Sequence, residues 1–98
     1  MASDPLSGFN ILVVDDEPLL RRHLGATLES MGADVSLADS LRAARQLAAE
    51  LSFDFVLLDV NLPDGTGTDL LRDGVFGSTA GVIVMTAVGG VAGAVAAM

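Results

Sequence analysis

Two groups of acids, each at the end of an apolar run, are the residues of this 98-residue chain best suited to chemistry. Asp15 and Asp16 follow Ile11-Leu12-Val13-Val14, and Asp59 follows Phe55-Val56-Leu57-Leu58, with Asn61 and the turn sequence Pro63-Asp64-Gly65 just beyond. Carboxylates at the rim of a hydrophobic core are costly while unpaired. Three of them at two strand ends therefore point to a bound cation or a transferred group.

The segments around these acids alternate between strand-like and helical patterns. Ile11 to Val14 reads as a strand, and Pro18 suits the first position of a helix that carries Leu20, Leu24, Leu28 and Met31 at helical spacing and closes at Gly32. Val35 and Leu37 alternate with Asp34 and Ser36 in a half-exposed second strand. Ser40 then caps a helix with Leu41, Ala44, Ala48 and Leu51 on one face. Phe55 to Leu58 is the third strand, followed by a turn and a short helix near Thr68 to Arg72. Val82-Ile83-Val84-Met85 is the fourth strand, ending at Thr86, and a Gly-containing helix with Val91, Val95 and Met98 on one face closes the pattern.

Such βα alternation implies an α/β fold: a doubly wound parallel sheet with right-handed crossovers and helices on both faces. The apolar first, third and fourth strands suit interior positions and the alternating second strand suits an edge, giving the order 2-1-3-4. Winding then reverses between strands one and three, and open α/β sheets bind ligands beyond the strand C-termini at that crevice. Asp15, Asp16 and Asp59 fall on it, with Thr86 alongside.

Composition narrows the function. Thirteen acids oppose five basic residues, all Arg, for a formal net charge of -8, which repels nucleic-acid phosphate and attracts cations. With no Cys, disulfides, thiolate metal sites and thiol nucleophiles are excluded. Residues 1–8 carry no basic side chain and no apolar run of signal-peptide length, so they read as a short tail on a cytoplasmic protein. The uncharged stretch from Gly74 to Met98 is long enough to span a bilayer, but six glycines, no Trp or Tyr and no Lys or Arg near its end argue against a membrane segment.

Together VVDDEP, LLDVNLPDGTG and VIVMTA, over residues 9–98, resemble the receiver domain of two-component response regulators, whose fold is flavodoxin-like. The switch-point rule is itself illustrated by a relative of that family. The resemblance implies a phosphorylation-dependent switch in a phosphorelay rather than a turnover enzyme. By it, Asp59 is the phosphoacceptor for a sensor histidine kinase or phosphotransfer protein, and Thr86 hydrogen-bonds the phosphoryl group and switches. It implies Mg²⁺ held by Asp15, Asp16, Asp59 and the Asn61 backbone carbonyl, and a transcriptional output.

Other residues have plainer readings: Glu17 as a helix-capping acid, Asp64 as a turn residue, and His23, the one histidine, as solvated helix surface. Receivers also carry a Lys that closes strand five and an aromatic on that strand, and this chain has no Lys at all. The expectation is a domain incomplete at its C-terminus, without its fifth strand and fifth helix; a short receiver that completes its sheet with another chain competes with it. Two alternatives to the switch are a receiver-like interaction module working without phosphorylation, as a homodimer or swapped dimer, and a Mg²⁺-dependent phosphatase using Asp59 as nucleophile.

Overall fold

A computed structural model describes residues 4–88 and 91–97, with side chains described over 4–85. The elements follow the expected alternation: β1 (Asn10–Val14), α1 (Pro18–Ser30), β2 (Asp34–Ala38), α2 (Leu41–Glu50), β3 (Phe55–Asp59), a small β4 (Asn61–Leu62) and β5 (Gly65–Thr66) pair, α3 (Thr68–Arg72), β6 (Gly81–Val88) and β7 (Val91–Ala97). The main sheet has the order β2-β1-β3-β6-β7. Its first four strands are parallel, with Val13 opposite Leu37 and Leu57, and Leu58 opposite Val84. The 2-1-3-4 order read from the sequence is this parallel set, β6 being the fourth strand.

The end of the chain departs from that reading. In place of a helix on Val91, Val95 and Met98, Val91–Ala97 is an antiparallel strand on β6, with Val88 opposite Val91 and Thr86 opposite Ala94; Met98 lies outside the described residues. Glycine within a helix costs about 1 kcal/mol relative to Ala, and Gly93 sits mid-segment. The two residues linking β6 and β7 are Gly89-Gly90, a spacing and composition suited to a hairpin, and pairing satisfies the edge groups of β6 that a helix would leave open. The fifth position of the sheet is thus antiparallel.

The two sheet faces are covered unequally. Leu12, Val14, Val56, Leu58 and Val82 form one buried cluster with Leu41 and Ala44 of α2, Leu62 of β4 and Leu70 of α3. On the other face Ile11 and Val13 are buried, but α1 seats on the sheet chiefly at Gly25, where a side chain would meet Leu37 and Val35. Leu20 and Met31, expected on the buried face of α1, are 44% and 38% exposed, and Leu24 and Leu28 are half-buried. The α1 end is as expected, with Gly32 at φ 97°, a left-handed conformation that favours glycine. Among the described residues no helix is long and apolar enough to cross a membrane.

Candidate metal and phosphoacceptor site

Both acid-bearing strand ends are held laterally by sheet hydrogen bonds that run one residue past the strands. The Asp15 N–H donates to the Ala38 carbonyl at 3.0 Å, and the Val60 N–H donates to the Met85 carbonyl at 3.3 Å. Because β1 and β3 are adjacent and parallel, their C-terminal acids converge. One carboxylate oxygen from each of Asp15, Asp16 and Asp59 lies within 4.8 Å of the others. Asp15 is 3% exposed, Asp59 is half-buried and Asp16 is exposed, so the group opens outward from the core.

Each inner acid is oriented by a backbone donor. The Glu17 N–H donates to Asp15 Oδ1 at 2.9 Å, and the Asn61 N–H to Asp59 Oδ1 at 3.2 Å. These bonds do not offset the crowding. Burial raises the Asp15 pKa, the Glu17 N–H lowers it, the Asp16 charge raises it further and Arg21 pulls it down; the balance lies above the ordinary carboxylate value. Burial also raises Asp59, against the Asn61 N–H and with the charges of Asp15 and Asp16, and again the balance is upward. Among the described residues no salt bridge engages any of the three.

An all-oxygen set with this charge fits a hard divalent cation such as Mg²⁺, which takes carboxylates and waters. The cation would let the three acids stay ionised side by side.

Two glycines shape the loop behind Asp59. The Gly67 N–H donates to the Val60 carbonyl at 2.7 Å, and a Cβ at Gly67 would run into the Asp59 carbonyl. Only glycine allows the chain to return this close beneath the acid. The sequence reading missed Gly67, although its signal was present in the glycine that follows the Pro63-Asp64-Gly65 turn by two residues. At Gly65 a Cβ would meet the Leu41 side chain, so the same turn is also packed against α2.

Asp64 is more than a turn residue. Its Oδ1 accepts from the Leu41 N–H at 2.8 Å and its Oδ2 from the Arg42 N–H at 3.0 Å, so it caps α2 across the turn, beside Ser40, whose Oγ accepts from the Ala43 N–H at 3.1 Å. Those two donors hold its pKa below the usual carboxylate value. Glu17 occupies the N-cap position of α1 but its side chain makes no capping bond; Asp15 receives its N–H instead. His23 is exposed, as expected. Thr86 follows Met85, the β6 partner of Asp59, so its backbone borders the crevice; its side chain lies outside the described residues.

A family model for the response regulator receiver domain matches residues 11–98. The chain is 46% identical over 61 residues to the response regulator protein PilR of Pseudomonas aeruginosa, covering 62% of this chain and 14% of that one. It is 40% identical over 78 residues to the KDP operon transcriptional regulatory protein KdpE of Escherichia coli, covering 80% of this chain and 35% of that one. The chain therefore spans about a third or less of the length of these curated relatives. Among solved structures, a response regulator from Burkholderia pseudomallei with a phosphorylated aspartic acid, calcium ion and citrate is similar at 29% identity and a TM-score of 0.75, covering 80% of this chain and 46% of that one.

Proposed function

The chain belongs to the response regulator receiver domain family, and on that premise we propose that Asp59 accepts a phosphoryl group from a histidine kinase or phosphotransfer protein. An Asp59 carboxylate oxygen attacks phosphorus, the bond from phosphorus to the donor imidazole nitrogen breaks, and that nitrogen keeps the electron pair. The product is an acyl phosphate on the β3 end. The observation that carries this reading is the convergence of Asp15, Asp16 and Asp59 within 4.8 Å at the point where the sheet reverses its winding.

Asp15, Asp16 and Asp59, with the Asn61 backbone carbonyl, are the groups that would hold Mg²⁺. When bound, the cation neutralises charge on the transferring phosphoryl oxygens. Asp59 is kept aimed by the Asn61 N–H and backed by the Gly67 turn. Thr86 donates a hydrogen bond to the transferred group, which biases a two-state equilibrium at the β6 end. The domain is a switch rather than a turnover enzyme, acts in the cytoplasm, and controls a transcriptional output in a longer regulator, a reading supported by the likeness to a transcriptional regulatory protein.

Incubation with a small phosphodonor and Mg²⁺, followed by intact-mass measurement, tests the proposal. The protein should gain the mass of one phosphoryl group and Asp59→Asn should gain none; a wild-type protein that gains nothing would contradict it.

A further inference from the structure

Arg21, on the first turn of α1, is a cation for which the phosphoryl-transfer reading supplies no role. Among the described residues the side-chain ion pairs are Arg45 with Asp73, and Arg72 with Asp69 and Asp73. Arg21 instead directs Nη1 to the backbone carbonyl of Asp15, at 2.9 Å and in a part-buried setting. Its own N–H donates to the Glu17 carbonyl at 2.9 Å, and the Glu17 N–H donates to Asp15 Oδ1 at 2.9 Å. Asp15 is therefore gripped at both its carbonyl and its carboxylate by the start of α1.

The carbonyl matters because it belongs to the peptide group that joins Asp15 to Asp16. That group is planar, so a donor fixed on its oxygen restrains the plane from which both acids project. Two consequences of the guanidinium oppose each other. As a positive charge near the acids it repels a divalent cation, and by charge alone its removal should tighten metal binding. As a clamp on the peptide it keeps two carboxylates arranged for one ion, and its removal should weaken binding. A half-exposed charge is screened by water and salt, whereas partners that orient metal-holding groups are worth about 10- to 100-fold in affinity.

We propose that Arg21 is a positioning residue which holds the Asp15–Asp16 peptide so that both carboxylates meet Asp59 around one divalent cation. The proposal rests on the reading of Asp15, Asp16 and Asp59 as Mg²⁺ holders. Titration calorimetry with Mg²⁺ on the whole chain separates the two ideas, using wild type, Arg21→Met and Arg21→Lys at fixed ionic strength, with metal-free melts of each. Arg21→Met should bind about tenfold more weakly. Arg21→Lys, which keeps a donor and the charge but not the planar fork, should fall between it and wild type.

Binding by Arg21→Met that equals or exceeds wild type overturns the role of Arg21 and leaves the metal reading intact. A wild-type chain that takes up no Mg²⁺ overturns both. Should Arg21→Met fail to melt cooperatively, Arg21→Lys decides: weaker binding than wild type supports the clamp, and equal or tighter binding overturns it.

Discussion

Two sets of acids, Asp15 and Asp59 at the sheet's strand ends and Asp64 and Asp73 beyond β3, are treated oppositely by the fold. Asp15 and Asp59 share a crevice with Asp16, and burial and like charge push both upward in pKa despite one N–H donor each. By contrast, Asp64 takes two N–H donors from the start of α2, and Asp73 takes the Arg45 guanidinium; both are pushed down. Asp64 and Asp73 are satisfied by the protein itself. Among the described residues no salt bridge engages the crevice acids, which marks them as groups kept for something the chain binds.

Removing the metal-holding pair should break this contrast most strongly. Asp15→Asn with Asp16→Asn should lower Mg²⁺ affinity by at least about tenfold, since even partners that only orient metal ligands are worth that much. Calorimetry would show it, and the phosphorylation rate should fall alongside. Substitution of Asp64 by Asn should leave Mg²⁺ affinity unchanged, because that carboxylate serves α2.

A smaller effect is expected at Gly67, where the fold brings backbone against the Asp59 carbonyl. Gly67→Ala forces the β3 end and the following turn apart, with a cost of about 1–3 kcal/mol, as for other overpacked sites, readable from the urea midpoint. Because the displaced group belongs to Asp59, phosphorylation should slow even in the fraction that remains folded. An unchanged midpoint and rate would show that the turn relaxes freely.

The pH response is expected to be the smallest effect, and its sign differs between the two sets. Asp15 and Asp59 are raised, so while ionised they weigh against the metal-free fold at neutral pH; that penalty is relieved as pH falls through their raised values. Asp64 and Asp73 are lowered, so their support is present above the ordinary carboxylate range and is lost as pH falls through their lower values. Metal-free Asp59→Asn should accordingly melt higher than wild type at neutral pH, with the gap closing on mild acidification. Saturating Mg²⁺ should stabilise wild type by about 2.7 kcal/mol at a hundredfold excess over Kd, and acid should weaken that stabilisation by protonating the holders. Melts across pH, with and without Mg²⁺, would reveal a failure of either sign.

Much of this was legible in the residues. The apolar runs before Asp15 and Asp59 gave the parallel β1 and β3, and the alternation of the second strand gave its edge position, from which the convergence of the acids followed. Ser40 was readable as a cap because its donor lies within the same helix start. Asp64 was not, because its partners Leu41 and Arg42 lie in another element, which reaches it through tertiary packing that includes Gly65 against Leu41. Arg21 was hidden for a similar reason: its target is a backbone carbonyl, which no side-chain pattern advertises. The misread terminal segment had apolar residues at both helical and strand spacing. Pairing with β6, which periodicity does not weigh, favoured the strand.

We propose that Asp59 is the phosphoacceptor and that the acids beside it hold the cation the transfer requires. Peptide-resolved mass spectrometry after treatment with a small phosphodonor, with and without Mg²⁺, tests it most directly. The expected result is one hydroxylamine-labile phosphoryl group, confined to the peptide that carries Asp59 and formed only when Mg²⁺ is supplied. A phosphoryl group on any other peptide, or equal labelling of Asp59 with the metal chelated away, would contradict it.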